Sequence, residues 1–291
     1  MDSGPYVAKL PYELNKSDIA SINFDQLIWP LGKPHWSGTV ADLSDNDHLI
    51  VNPTSKRIFS AVPKVCCKVS LLLTEPKAIH GRYIWMLWLM QKHFYRIFHR
   101  DRQLEEKYDN VVAMHLADTW VDPAISVTVE QKHKLVSLVA SGKRDLPGHQ
   151  LRHRLVESLP NIDIPVSVMG HGYQPFEHKA DSHVPYYFSV VIENAMEHDY
   201  FTEKLIDCLL CECVPIYWGC QEIGEYYDTK GMIICNSLGA LTAALVNLTE
   251  EDYWQRLDVI KANKQKAQAN CNPEVAMANY LLNHNKYISP I

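Results

Sequence analysis

Short apolar runs alternate along this chain with longer stretches in which apolar residues recur at helical spacing. The first 60 residues resist that reading. A partly apolar piece at 19–29 gives way to Pro30, Gly32 and Pro34 and then to the polar turn Ser44-Asp45-Asn46-Asp47. From Val65 the pattern sharpens. Residues 69–73, closed by Thr74-Glu75-Pro76, predict a buried strand; 82–94, apolar nearly all round, predict a buried helix; 110–116 predict another strand. A shift in composition at 122–134 predicts a linker. Beyond it the rhythm resumes, with strands at 134–140, 164–168, 186–192, 213–218 and 232–235. Between and after them, helices are predicted at 148–159, 202–212, 238–248, 250–269 and 273–283, and a loop at 141–144. Thr249 is the expected N-cap of the helix from 250, with Asp252 three residues on, and Pro273 suits a first-turn position. Strands and helices alternating at these lengths predict parallel α/β sheets.

Composition narrows the classes. At 291 residues the chain is long enough for two domains or one large one, and 47% hydrophobic with 21% charged residues is enough for a real core. A net charge of −6 argues against broad electrostatic binding to nucleic acid, although a local basic patch could still take phosphate. Residues 1–15 hold no apolar run of the secretory kind. The longest apolar run, 83–90, falls far short of the ~20 residues of a membrane span. Several of the 8 cysteines sit inside apolar runs, where a reduced thiol packs as a small hydrophobe, so a reducing compartment is expected.

Residues 186–219 read YYFSVVIENAMEHDYFTEKLIDCLLCECVPIYWG: an apolar strand, a polar loop, a helix opening at Thr202 and a second apolar strand. Ligands of a parallel sheet bind outside the carboxyl ends of its strands, and Glu193 and Asn194 stand at such an end. Lys204 adds a full charge to a helical turn whose unpaired N–H groups already favour anions. Glu203 could accept hydrogen bonds from vicinal sugar hydroxyls. Together these suit a ribose followed by phosphates, whereas a Glu-Lys pair alone would be ordinary capping chemistry.

The longer string closely resembles the donor-binding signature of the α-1,3-fucosyltransferases, glycosyltransferase family 10. Phe188, Glu193, Asn194, Tyr200, Thr202, Glu203, Lys204, Val214, Pro215, Ile216, Tyr217 and Gly219 fit it. Upstream, 134–159 looks like the family's strand, phosphate loop and arginine-bearing helix, so the resemblance covers about 130–240. It implies an α/β fold of GT-B type: two Rossmann-like domains facing a central cleft. Residues 1–125 would hold acceptor and base and 126–291 the nucleotide sugar, with the last helix free to pack back on the N-terminal domain. It also implies an inverting, metal-independent enzyme without a cofactor, moving L-fucose from GDP-fucose onto a hydroxyl of an oligosaccharide or glycoprotein glycan. By the same match Arg152, with Arg154 the near alternative, binds phosphate; Asn194 and Tyr200 contact the ribose-diphosphate region and Glu203 the ribose. Ser141 and Lys143 belong to the phosphate loop, which His149 flanks. Ala195, Phe201 and Glu212-Cys213 depart from the pattern. The membrane anchor and stem of animal and plant members are missing, which points to a cytoplasmic enzyme of bacterial or viral kind or a trimmed soluble form. The alternatives are the same scaffold using a UDP-sugar such as UDP-xylose, and a non-catalytic nucleotide- or glycan-binding module.

Inversion needs one general base. Glu75, just after the strand at 69–73, is the first choice, and by resemblance the family's base also follows an N-domain strand in a Thr-x-Glu-like context. Asp118, after 110–116, is second and His115 third. Other signals read as structure. Asp45-Asn46-Asp47 is a D-x-D in a turn context, Cys208-Cys211-Cys213 lie where a helix and strand pack together, and Trp85 and Trp88 are expected in the core. His35-Trp36 could stack an acceptor sugar.

Overall fold

The computed structural model describes residues 4–54 and 65–284. Two compact units divide the chain: Met1–Leu116 with Pro273–Ile291, and Ala117–Asn272.

In the first unit, β1 (Val7–Lys9), β2 (His48–Val51), β3 (Lys68–Leu73), β4 (Ile97–His99) and β5 (Val111–Ala113) form one parallel sheet in that order. Side chains alternate across it. Leu71 and Leu73 join a core with Leu49, Ile97 and Leu87, while Leu72 joins Val7, Ile50, Phe98 and Val112 on the opposite face. That opposite face is covered by Met277, Ala278 and Leu281 of the last helix, Pro273–Asn283. Burial on both faces explains why β3 reads as a mostly apolar run, broken only by the buried Ser70, rather than an alternating one. β1, β2 and β4 have three or four residues each, too few to leave a period in the sequence, so 1–60 and 94–100 gave no strand signal.

Helix α1 (Lys77–Met90) starts five residues before the predicted onset, because Pro76 supplies its N-cap position. It buries His80, Tyr83, Leu87 and Met90. Trp85 and Trp88 are 71% and 57% exposed. This corrects the expectation of a helix buried all round: a helix lying on one sheet can bury only one stripe. A short α2 (Arg102–Lys107) follows, capped by the Asp101 carboxylate, which accepts from the Gln103 N–H.

The second unit holds β6 (Lys134–Val139), β7 (Val166–Met169), β8 (Tyr186–Ile192), β9 (Val214–Trp218) and β10 (Ile233–Ile234), parallel and ordered β10-β9-β8-β6-β7. Around it stand α3 (Pro147–Ser158), α4 (Glu203–Leu210), α5 (Leu238–Val246), α6 (Glu250–Trp254) and α7 (Leu257–Asn270); Pro273–Asn283 of the first unit is α8. The single helix expected at 250–269 is thus two, although Thr249 does cap the first in a capping box with Asp252. The predicted linker at 122–134 lies inside this unit. The Lys132 ammonium is buried there and donates to the carbonyls of Val184, Tyr186 and Cys211, while Gln268 donates to the Pro123 carbonyl. Glu212 ends α4 in the left-handed region at φ 53°, where glycine is usual, and its carboxylate accepts from Lys264 at 2.8 Å. Among the described residues no helix is long and apolar enough to cross a membrane.

Candidate functional site

The strand order of the second sheet locates a crevice. The chain leaves β6 through α3 to reach β7 on one side, and leaves β8 through α4 to reach β9 on the other. Crossovers that diverge from adjacent carboxyl ends open a binding crevice there. In the first sheet the strands follow in sequence, so among the described residues no such reversal occurs.

Several sequence-selected residues meet at this point. Arg152, on α3, is buried, and its Nε donates to the Ile192 carbonyl at the end of β8 at 3.1 Å. Its Nη2 donates to the same carbonyl and, at 3.2 Å, to Asn194 Oδ1. Burial draws the Arg152 guanidinium below its usual pKa, opposed by Glu193, Tyr200 and Glu203. Arg154 points to the exposed side of the same helix. The packing of α3 on the end of β8 depends on Gly148. A Cβ there would lie 1.7 Å from the Glu193 carbonyl oxygen, and the Gly148 N–H donates to the Asn194 carbonyl.

Across the crevice, Thr202 caps α4 and is held by Glu193. The Thr202 N–H and hydroxyl donate to the two oxygens of the Glu193 carboxylate at 2.9 and 2.7 Å. Glu193 is fully buried, and burial raises its pKa against the pull of Lys204 and Thr202. Its role is therefore beneath the site, positioning the α4 N-terminus. Gly219 permits this, since a Cβ there would meet the Tyr217 hydroxyl at 2.4 Å and Glu193 Cγ at 2.7 Å. The Lys204 ammonium donates to Thr202 Oγ1 at 3.0 Å and to Glu203 Oε1 at 2.8 Å. Burial pushes the Glu203 carboxyl up, but Lys204, Lys179 and Thr202 together hold it below its ordinary value.

Lys179 and Asp207 were not singled out from the sequence. Lys179, at the start of a 3-10 turn, precedes the string at 186–219 and belongs to no motif, and Asp207 is an isolated acid in an apolar helix. In the structure, Asp207 is fully buried and its Oδ1 accepts from the Thr119 hydroxyl at 2.7 Å and the Trp120 N–H at 2.9 Å. Lys179 Nζ lies 3.9 Å from Asp207 Oδ2. Burial lowers the Lys179 pKa; Asp207 and Glu203 oppose this, and the charges of Lys204 and Arg152 add to it. Three cations, Arg152, Lys179 and Lys204, thus share one electrostatic neighbourhood. The only sequence signal for Lys179 was its type.

The other selected residues take different places. Tyr200 is buried, 2% exposed, against the same cluster. Ser141 is half-buried and Lys143 exposed. Their loop is pinned by His153, whose Nε2 donates to the Lys143 carbonyl at 3.0 Å while Nδ1 accepts from the Tyr173 hydroxyl at 3.0 Å. His149 is buried at the start of α3 with Nδ1 3.0 Å from Asp145; burial first, then Arg152, depresses its pKa.

In the first unit, Glu75 follows β3 at the carboxyl edge of the sheet and is half-buried. β3 pairs with β4 so that Leu73 faces His99, which brings Arg100 and Asp101 to the same edge. The Arg100 guanidinium donates to the carbonyls of Thr74 and Glu75, and the Glu75 N–H donates to His80 Nδ1 at 3.3 Å. Burial, with Arg100 and Arg82 adding, pulls the His80 pKa down to about 4; burial and Arg100 pull that of His99 down to about 3. Both imidazoles are neutral at pH 7. Asp118 is an exposed residue of the second unit, and His115 follows β5 half-buried.

For metals, Asp47 of the D-x-D is committed to structure. Its carboxylate accepts from the Tyr6 N–H and from both the N–H and the hydroxyl of Ser44, each at 2.7 Å. His183, Cys208 and Cys213 bring ligand atoms within 4.8 Å of one another. However, the Cys213 thiol donates to the His183 carbonyl at 3.0 Å, and the Lys132 ammonium lies 3.6 Å from its sulfur. A fixed cation beside the sulfur disfavours a second one, so this trio reads as packing. Trp36 is 42% exposed and packs edge-on against Phe24.

Comparison with known proteins bears on the second unit and on the fold. The model of glycosyltransferase family 10 (fucosyltransferase), C-terminal part, matches residues 129–252. The α-(1,3)-fucosyltransferase FucT of Helicobacter pylori is 29% identical over 107 residues, 35% of this chain and 21% of that protein. The chain thus aligns with about a fifth of that relative's length. An α1,3-fucosyltransferase crystallised with GDP has a TM-score of 0.55 at 15% identity, covering 100% of this chain and 95% of that one. S. aureus TarM, solved as a point mutant in complex with UDP, fondaparinux and α-GlcNAc-glycerol, has a TM-score of 0.55 at 9% identity, over 82% of this chain and 55% of that one. At such identities the solved structures speak for the fold, which is of GT-B type. Residues 129–252 accordingly match the glycosyltransferase family 10 (fucosyltransferase) C-terminal model, within a chain whose fold is of GT-B type.

Proposed function

We propose that this chain is an inverting glycosyltransferase that moves L-fucose from GDP-fucose to a hydroxyl of an oligosaccharide or glycan. The observation that carries the reading is the convergence of Arg152, Lys179 and Lys204 with the α4 N-terminus at the switch point of the second sheet. As the anomeric C–O bond breaks, the electron pair departs with the nucleoside diphosphate, whose charge grows. Fixed cations and oriented N–H groups in a partly buried crevice stabilise that charge without reorganising. They can do so without a divalent ion, so a metal-independent mechanism is part of the proposal. Glu203, held ionised by Lys204, is the acceptor for the ribose hydroxyls, with Asn194 and Tyr200 beside it.

The base of the proposal is Glu75. Its carboxylate takes the acceptor's hydroxyl proton while that oxygen bonds to the anomeric carbon from the face opposite the leaving group. Arg100, bonded to the backbone carbonyls on either side of the Thr74–Glu75 link, fixes that segment.

Thermal shift with GDP, UDP, GDP-fucose and UDP-xylose tests the donor, because a ligand of the native state alone raises the midpoint. GDP and GDP-fucose should stabilise most; a larger shift with the UDP compounds transfers the proposal to a UDP-sugar. Lys204→Ala should weaken GDP binding about tenfold. Glu75→Gln should cut transfer about 10²–10⁴-fold with GDP affinity unchanged. Transfer at the wild-type rate would remove Glu75 from the role, and binding of nucleotide without transfer to any glycan would favour a non-catalytic module.

A further inference from the structure

Helix α1 violates the usual rule that the face opposite the core is polar. Its buried stripe is His80, Tyr83, Leu87 and Met90. On the outer side Trp85 is 71% exposed, Trp88 and Leu89 are each 57%, and Ile79 is 44%. The two indoles lie edge to face with centroids 6.3 Å apart. Contiguous exposed apolar surface of this kind marks a contact with something outside the chain.

The charges around this ridge identify the contact. No Asp or Glu occurs between Glu75 and Asp101 in a chain of net charge −6; of the basic residues there, Arg96 and Arg100 are buried and Lys77 pairs with Asp101 at 3.4 Å, which leaves Arg82 and Lys92 as the cations of the surface. Both are exposed: Arg82, packed on the Tyr83 ring, precedes Trp85, Trp88 and Leu89 on the helix, and Lys92 follows them in the 3-10 turn Gln91–His93. A glycan is a poor match. The helix from Lys77 to Met90 contains no Ser, Thr, Asn, Gln, Asp or Glu, and its His80 and Tyr83 are buried, so its outer face offers no side-chain acceptor or amide to sugar hydroxyls. The ridge is convex and about 21 Å long, the shape of a helix that lies in a bilayer interface rather than of a groove for a peptide. Indoles favour the headgroup level, and flanking cations favour anionic lipid.

We propose that α1 docks this chain onto an anionic membrane surface, with Trp85, Trp88 and Leu89 inserted among the acyl-chain boundary and Arg82 and Lys92 on lipid headgroups. The helix lies on the membrane and does not span it. This inference stands apart from the transfer reaction and does not depend on the donor.

Co-sedimentation of the full chain with phosphatidylcholine vesicles, with and without phosphatidylglycerol, tests it. The wild-type chain should bind the anionic vesicles, less so at high salt, with a blue shift of tryptophan emission. Trp85→Ser and Trp88→Ser should each weaken partitioning about tenfold. The double variant R82E/K92E keeps both indoles and should lose the preference for anionic vesicles. Because both indoles are exposed, the urea midpoints of the tryptophan variants should match wild type, while that of R82E/K92E should fall only slightly, through loss of the Arg82 contact with Tyr83. The proposal is overturned if the wild-type chain stays in the supernatant, if W85S/W88S partitions like wild type, or if charge reversal changes nothing. Self-association that W85S/W88S abolishes, without vesicle binding, would assign the ridge to a second copy and overturn it equally.

Discussion

Asp207→Asn isolates the electrostatics beneath the candidate site. The Asp207 carboxyl is fully buried, and burial raises its pKa from 3.8 to about 6, against the hydrogen bonds from Thr119 and Trp120 and the charge of Lys179. The shift is thus about 2 pK units, or about 3 kcal/mol between protonation states. Below pH 3.8 the group is protonated in both folded and unfolded chains and costs nothing. As pH rises, the unfolded carboxylate ionises freely in water while the folded one resists. This contribution to stability is therefore fully present below about pH 4 and is lost as pH passes 6. Asn keeps an oxygen for Thr119 and Trp120 but cannot titrate. Urea unfolding of wild type and D207N should be compared from pH 4 to pH 7. The wild-type stability should fall by about 3 kcal/mol relative to the variant across that range.

The difference between the two proteins is the readout because other groups titrate with the opposite sign. His80 and His99, held neutral with pKa values of about 4 and about 3, contribute stability above pH 6.5 that is lost as pH falls. Those terms are common to both chains and cancel. Parallel profiles for wild type and D207N would refute the reasoning, since they would mean that Asp207 ionises in the folded chain as it does in water.

Three further outcomes follow from the same geometry. Gly148→Ala must move α3 off the Glu193 backbone and should cost about 3 kcal/mol of stability by urea unfolding; a loss under 1 kcal/mol would mean the end of β8 yields readily. Thr202→Val removes the helix cap and a hydrogen bond to the buried Glu193 carboxylate, and should cost about 2–4 kcal/mol in the same assay. Lys179→Met removes one of the three cations and should weaken GDP binding about tenfold by titration calorimetry; unchanged affinity would take Lys179 out of the site.

Local chemistry carried much of this protein in plain view. The strand at 186–192 has the predicted ends, Thr249 caps the helix it was expected to cap, the helix read from Thr202 opens there with Thr202 as its cap, and the mostly apolar run 69–73 falls within β3. These features are set by neighbours a few residues apart, so the linear order of residue types records them. The string from Glu193 to Gly219 belongs with them, since its glycine, threonine and lysine serve one strand end and one helix start.

What depends on distant neighbours had to await the tertiary structure. β1, β2 and β4 are strands because a parallel partner takes up their backbone groups, not because three or four residues prefer to be extended. Arg152 rather than Arg154 reaches β8 because α3 presses Gly148 against the Glu193 carbonyl, a contact between segments 45 residues apart. Lys179 and Asp207 come together only when the 3-10 turn Lys179–Ser182 is brought to α4, and Arg100 reaches Glu75 only because β3 and β4 are adjacent. The indoles of α1 show most clearly where residue type stops informing. Trp85 and Trp88 are apolar on any scale, yet whether they are buried is decided by the face the helix turns to its sheet, and that face is chosen by His80, Tyr83, Leu87 and Met90 together.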